Sequence, residues 1–137
     1  MAARRLDVFF YGLFMDQDLL RAKGVQPTFL RSALVEGFAL RIGERASLVP
    51  DESGRVHGVV MSLSHDELEK LYSEPSVRAY RPEAVLERLG NDEIIAALCF
   101  NLPQPPSPAE RNPEYAAKLR VVAQRIGLPV DYVASIR

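Results

Sequence analysis

The chain has 137 residues, of which 47% are hydrophobic and 26% are charged. This length is enough for one real core and too short for two, so we expect a single domain over residues 1–137. Seventeen basic and eighteen acidic residues leave a net charge of -1. Since no long basic block occurs, nothing in the composition predicts binding to nucleic acid or to an anionic membrane.

Apolar segments and the cysteine indicate the compartment. No apolar run approaches the roughly 20 residues of a membrane span, and the N-terminus lacks the continuous apolar stretch of a signal peptide. The single cysteine, Cys99, lies in the run IIAALCFNL. We expect it to be a core residue, because free cysteines pack as small hydrophobic side chains. These observations predict a cytoplasmic protein without a membrane partner.

A strand and a short helix open the chain. The run LDVFFY at residues 6–11 predicts a buried strand, and Asp16 is a typical cap for a helix that continues to about Lys23. Between them stand Gly12, Leu13 and Phe14, although a strand-to-helix turn is usually polar. An apolar turn needs a cover, which is either the protein's own core or a ligand.

The next segments predict a curved sheet. Strand-like runs from ALVEGFALRIG to ASLVP are interrupted by Gly37 and Gly43, which indicate bulges or sharp bends. PDESGR at residues 50–55 predicts a turn, and a further strand follows over residues 56–63. His57 lies in that strand without a second metal-type ligand at a recognisable spacing, so we expect an ordinary strand residue.

A second helix precedes a turn that carries an acidic residue. Ser64 and Glu67 form the pattern of a capping box, so a helix should begin here. Pro75 disfavours the helical conformation of the residue before it, and the helix must end earlier. Glu74 is thereby held where the chain changes direction. On residue type alone, the default expectation for Glu74 is a solvated glutamate at a helix end.

The last third of the chain predicts a hairpin and a terminal helix. Strands are expected near residues 83–89 and 93–102, and the proline-rich PQPPSP then forms a spacer. Asn112 and Pro113 are typical of a helix start. The complete order predicts an α+β fold with a curved, mostly antiparallel, small barrel-like sheet and flanking helices. GxGxxG, GxxxxGK[ST] and GxSxG motifs are absent, so no cofactor and no metal are predicted.

Four stretches in this order resemble the gamma-glutamyl cyclotransferase-like family: YGLFMD after the first strand, VHGVVMSLS, SEPSVRAYRPEAV, and NPEYAAKLRVVAQRIGLPVDYV. The resemblance covers nearly the whole chain. It implies an enzyme that cyclises a gamma-glutamyl amine or peptide to 5-oxoproline and releases the amine or amino acid. The implied partner is a small gamma-glutamyl substrate, and the oligomeric state is left open.

The same resemblance implies roles for individual residues. Glu74 would be the catalytic acid/base, and Tyr80 would lie at the same site. The substrate-binding loop would consist of Tyr11, Gly12, Leu13 and Phe14. The family often has a small polar residue after the loop glycine, whereas Leu13 stands here, so the choice of substrate is left open.

Two other classes of function remain open at this point. One is a domain of the same fold that binds a small molecule bearing a carboxylate or amide without converting it. The other is a protein-interaction module with a vestigial cavity. Formation of 5-oxoproline from a gamma-glutamyl compound distinguishes the enzyme from both.

Overall fold

The computed structural model describes residues 4–137, and its centre is a closed five-stranded barrel. The strands follow each other around the barrel in the order β1, β3, β2, β4, β5. Neighbouring strands are antiparallel except for β5 and β1, which pair in parallel and close the barrel. The expected α+β fold with a curved, mostly antiparallel sheet is confirmed. The strands are β1 (Arg5–Phe10), β2 (Thr28–Ile42), β3 (Ala46–Ser64), β4 (Arg81–Leu89) and β5 (Ile94–Asn101).

Helices lie outside the barrel, and their starts agree with the caps that the sequence predicts. Asp16 accepts hydrogen bonds from two amides of α1, Ser64 and Glu67 form the capping box of α2, and Asn112 caps α3. A fourth short helix follows Pro129 and was not predicted. No helix within residues 4–137 has the length and apolar character to cross a bilayer. The helices are α1 (Gln17–Ala22), α2 (His65–Leu71), α3 (Pro113–Ile126) and α4 (Val130–Ser135).

The long β2–β3 hairpin contains the largest departure from the predicted elements. Phe38 pairs with Pro50 on one side of the irregularity, and Glu36 pairs with Arg55 on the other side. Residues 51–54 of β3 therefore lie opposite Gly37 of β2 alone. Gly37 has a φ of 88°, which a residue with a side chain rarely adopts. The turn predicted over residues 50–55 was therefore wrong. It is a bulge inside one strand, because the partner strand continues on both sides of it.

Alternating strand residues fill the barrel with apolar side chains. Phe9, Val56 and Val60 share one face of the sheet and are at most 1% exposed, and Leu119 of α3 is equally buried. Cys99 is also fully buried, and burial raises its pKa to about 12. Since the thiolate is the nucleophilic form, this thiol is unreactive. The expectation that Cys99 is a core residue is met.

One carboxylate breaks the apolar pattern of the interior. Glu87 of β4 is 1% exposed, and neither of its carboxylate oxygens has a hydrogen-bond partner among residues 4–137. Burial raises its pKa to about 7; Asp7 raises it further and Arg31 lowers it. Asp7 and Arg31 are themselves paired at 2.9 Å. Glu87 therefore has no charge partner of its own, which makes its ionised form unfavourable in the folded state.

Glu87 should make stability depend on pH. Because the pKa is higher in the folded state, the stabilising contribution is fully present below about pH 4.5 and is lost as the pH rises through about 7. Glu87→Gln abolishes this titration. Between pH 5 and pH 8, we expect the wild type to lose about 1 to 3 kcal/mol more unfolding free energy than the variant. Urea unfolding across this range measures the difference, and the exposed Glu52→Gln should keep the wild-type slope.

Candidate functional site

A cavity of about 320 Å³ opens where β1 ends, which is within the size range of small-molecule sites. Two chain segments that are far apart in the sequence form most of its wall. One is the loop after β1, and the other is the turn between α2 and β4. All six residues that the sequence analysis proposed for a site line this one cavity: Tyr11, Gly12, Leu13, Phe14, Glu74 and Tyr80.

The loop after β1 is held by a short 3-10 helix over Leu13–Met15. The Met15 amide donates to the Gly12 carbonyl at 3.0 Å, and the Asp16 amide donates to the Leu13 carbonyl at 3.1 Å. The Tyr11 side chain is 6% exposed, and its hydroxyl donates to the Phe100 carbonyl at 2.8 Å. The loop is therefore attached to β5 at its start and to α1 at its end.

The amides of this loop are available to a ligand. Those of Gly12 and Phe14 have no hydrogen-bond acceptor in the described part of the chain. The Leu13 amide faces the Tyr115 hydroxyl of α3. Backbone N–H groups without a partner bind carboxylate or carbonyl oxygens well. The side chains of Leu13 and Phe14 are half-buried, and both residues line the cavity.

Aromatic rings form much of the remaining wall. Tyr72 stacks on Phe100 with ring centroids 3.9 Å apart, and Phe14 meets Tyr72 edge-on at 5.8 Å. The Tyr80 hydroxyl donates to the Ala46 carbonyl. Burial raises the pKa of Tyr11, Tyr72 and Tyr80. Their hydroxyls therefore stay protonated at neutral pH and act as hydrogen-bonding groups.

Glu74 is the acidic residue of the cavity, and it is already paired. Lys23, just after α1, places its Nζ 2.9 Å from Oε1 and 2.8 Å from Oε2 of Glu74. The Glu74 side chain is 39% exposed and that of Lys23 is 25% exposed. The turn is fixed by the Glu74 carbonyl, which accepts from the amides of Val77 and Arg78. The sequence analysis expected a carboxylate in a cavity but not this cation.

Sequence reasoning missed Lys23, Arg45, Tyr72 and Tyr115 as cavity residues. Tyr115 of α3 packs against the core, and its hydroxyl lies next to Gly12. A Cβ atom on Gly12 would be 2.8 Å from that oxygen. No signal within the sequence links these residues, because their contacts arise only when the helices dock on the barrel.

The remaining titratable candidates do not form a second reactive cluster. His57 lies 5.0 Å from the Tyr132 ring between centroids, and burial with help from Arg55 lowers its pKa. Within residues 4–137, no three side chains of the His, Cys, Asp or Glu type are arranged to hold a metal ion.

Comparison with known proteins identifies the family. The model of the family described as gamma-glutamyl cyclotransferase, AIG2-like, matches residues 8–118. The chain belongs to this family. A search of curated protein sequences found no match to it. The match to the gamma-glutamyl cyclotransferase, AIG2-like family includes the loop after β1, the Glu74 turn and the first turn of α3.

Solved structures share the fold of this gamma-glutamyl cyclotransferase, AIG2-like chain. A protein titled gamma-glutamyl cyclotransferase has a TM-score of 0.81 at 18% identity, with 98% of this chain and 89% of that one covered. An uncharacterised protein from Homo sapiens has a TM-score of 0.80 at 18% identity, with coverages of 97% and 88%. YkqA from Bacillus subtilis has 0.77 at 21% identity, covering 96% of this chain and 52% of YkqA.

Glycine is favoured at position 12 because a side chain would be too close to Tyr115, and not because the φ angle is unusual. The φ of Gly12 is -113°, but a Cβ atom would collide with the Tyr115 hydroxyl. Gly12→Ala should therefore lower the unfolding free energy by about 1 to 3 kcal/mol. Adding Tyr115→Phe removes the colliding oxygen, so the double variant should recover most of the loss relative to Tyr115→Phe alone. Denaturant unfolding of the four proteins measures this coupling, and strictly additive effects would contradict it.

Proposed function

We propose that this protein cyclises gamma-glutamyl amines or gamma-glutamyl peptides to 5-oxoproline, with Glu74 as the acid/base. One observation carries the proposal. In a chain of this family, Glu74 and the loop residues Gly12 to Phe14 line the same cavity, and the amides of Gly12 and Phe14 have no acceptor among the described residues. The carboxylate can move protons, and the amides can hold the oxygen atoms of the substrate.

The reaction needs little beyond positioning and proton transfer. The substrate α-amine attacks its own γ-carbonyl carbon, a carbon–nitrogen bond forms in the ring, and the bond to the leaving nitrogen breaks. The α-nitrogen goes from an ammonium to a lactam N–H and loses two protons, while the leaving amine gains two. One carboxylate can carry both transfers in turn. Since the attack is intramolecular, correct orientation supplies several kcal/mol of the barrier, on the order of 7 to 11 at most.

The loop would stabilise the charge that develops on the γ-carbonyl oxygen. Backbone N–H groups of Gly12 and Phe14 need no reorganisation to act as donors, because the 3-10 helix and the Tyr11 hydrogen bond already fix the loop. Such fixed donors are typical of sites that stabilise an oxyanion. Leu13 and Phe14 would exclude water from the reacting atoms.

The first experiment is incubation with a panel of gamma-glutamyl compounds. The panel should include a gamma-glutamyl alkylamine, a gamma-glutamyl amino acid and glutathione, because the leaving group is open. Appearance of 5-oxoproline together with the free amine supports the proposal. Absence of 5-oxoproline from every compound rejects it.

The sharpest prediction concerns Glu74→Gln. Glutamine keeps the shape of the side chain but cannot accept a proton from the amine, so turnover should fall at least about a hundredfold. Binding of 5-oxoproline should persist. Glu69→Gln, which changes an exposed glutamate on α2, is the matched control and should retain full activity. A fully active Glu74→Gln enzyme would reject Glu74 as the acid/base.

Tyr80 is proposed to contact the substrate through its hydroxyl oxygen. Because the hydrogen is donated to the Ala46 carbonyl, the oxygen still has a lone pair to accept a substrate N–H. Tyr80→Phe should lower kcat/KM by about 3- to 10-fold, the worth of one hydrogen bond. Tyr132→Phe removes a hydroxyl outside the cavity and is the control. Equal kinetics of the Tyr80→Phe and wild-type enzymes would reduce Tyr80 to a packing residue.

A binding domain without turnover is the second candidate. The specific observation in its favour is that Lys23 engages both carboxylate oxygens of Glu74. Both carboxylate oxygens are occupied by the Lys23 ammonium and are not free to receive a substrate proton while this contact persists. Stabilisation against heat by gamma-glutamyl compounds without formation of 5-oxoproline would favour this candidate.

A further inference from the structure

We propose that Lys23 is the residue that binds the α-carboxylate of the gamma-glutamyl ligand, by exchanging Glu74 for that carboxylate when the ligand enters. This inference rests on the function proposed above and specifies how the substrate head group is recognised. The ligand class is any compound with a free α-ammonium and a free α-carboxylate on the glutamyl carbon.

The geometry of the free cavity is the starting point. Lys23 Nζ lies within 2.9 Å of both Glu74 oxygens, and both residues line the cavity. Glu74 is the only hydrogen-bond partner of the Lys23 side chain among residues 4–137. A substrate ammonium can therefore take the bridging position between the two Glu74 oxygens only by displacing the Lys23 ammonium.

The displaced Lys23 ammonium can pair with the α-carboxylate of the ligand. The glutamyl head group carries one positive and one negative charge on substituents of the same carbon. Its insertion between Lys23 and Glu74 replaces one ion pair with two, and no charge is left unpaired. Opposite charges within hydrogen-bond distance attract each other more strongly when they are partly shielded from water, and both Lys23 and Glu74 are partly buried.

Exposure of the pair makes the exchange feasible. The side chains are 25% and 39% exposed, so neither charge is locked in a dry interior. Half-exposed ion pairs contribute little net stability, since water solvates each partner when they separate. Lys23 also follows the last residue of a six-residue helix. A long, unbranched side chain at a helix end can change rotamer without moving the backbone.

Arg45 is the rival cation of the cavity. It lies in the turn between β2 and β3, and its guanidinium reaches the Ser76 carbonyl at 3.5 Å. It makes no ion pair with Glu74 among the described residues. Lys23 is the better candidate because it already lies against the group that must receive the substrate ammonium.

The test compares a carboxylate with its neutral carboxamide in each variant. The probes are L-glutamate and its α-carboxamide, isoglutamine, which share the α-ammonium that pairs with Glu74 and differ in the group that faces Lys23. Calorimetric titration gives both dissociation constants. We expect the wild type to prefer the acid by about tenfold or more, as for a charge-assisted hydrogen bond. In Lys23→Met this preference should fall below about threefold, and Lys23→Arg should restore it.

Matched variants test whether the preference depends on Lys23 itself or on the loss of any positive charge. Lys118→Met removes an exposed lysine on α3, away from the cavity, and should keep the wild-type preference. Arg45→Met should also keep it. If Lys23→Met retains the wild-type preference, or if the wild type shows none, the proposal is overturned. Thermal unfolding checks that each variant is folded, and Lys23→Gln replaces Lys23→Met if the latter is not.

Kinetics separate this inference from the proposed activity. With a gamma-glutamyl compound that the wild type converts, Lys23→Met should raise KM about tenfold and change kcat less than about threefold. If the wild type converts none of the compounds but prefers the acid in a Lys23-dependent manner, the proposed activity fails and the carboxylate site stands. If the wild type is active and Lys23→Met has unchanged KM and preference, the activity stands and this inference fails.

Discussion

The parallel pairing of β1 with β5 is the constraint on which the candidate site depends. Val8 pairs with Leu98 and Phe9 with Cys99, and this short contact closes the barrel. Because β1 and β5 then end side by side, the Tyr11 hydroxyl reaches the Phe100 carbonyl. The loop amides are consequently fixed at the rim, next to the aromatic stack on Phe100. An open sheet would leave the loop without its attachment to β5, and the cavity would lose one wall.

The site combines fixed polar groups with one exchangeable pair. The hydroxyls of Tyr11 and Tyr80 donate hydrogen bonds to backbone carbonyls. These bonds hold the two rings in place without involving other polar side chains. Lys23 and Glu74 differ because they bind only through charge and remain partly exposed. A fully buried pair would be strongly destabilised by removal of either partner, whereas a half-exposed pair separates at little energetic cost. The rigid groups therefore define the shape of the cavity, and the ion pair is the part that can respond to a ligand.

Glu87 illustrates a different use of a carboxylate in the same barrel. It has no hydrogen-bond partner in the described residues, and burial shifts its pKa to about 7. The charged neighbours of Glu87 are Asp7 and Arg31, and Asp7 lies near the start of β1. The cavity lies beyond the other end of β1, so Glu87 is not part of it. Glu74 has a cation within 3 Å and access to solvent, whereas Glu87 is buried and has no such partner.

The sequence by itself determined most of the local elements and pointed to the loop after Tyr11, which lines the cavity. Period-two apolar runs predicted the strands, side-chain caps predicted three helix starts, and the apolar turn after Tyr11 pointed to a covered loop. The resemblance then selected Glu74 and Tyr80, which line the same cavity as the loop. Such signals are readable because they depend on neighbours within a few residues.

Only the tertiary structure decided the bulge at residues 51–54, the Lys23 partner of Glu74 and the position of Tyr115 above Gly12. Lys23 and Glu74 are separated by 51 residues. Their contact requires α1 and the turn after α2 to meet at one rim, and no local pattern encodes that meeting. The same holds for the bulge, because a turn-like sequence becomes part of a strand when its partner continues on both sides. Local chemistry fixes what each segment can form, and barrel closure fixes which segments touch.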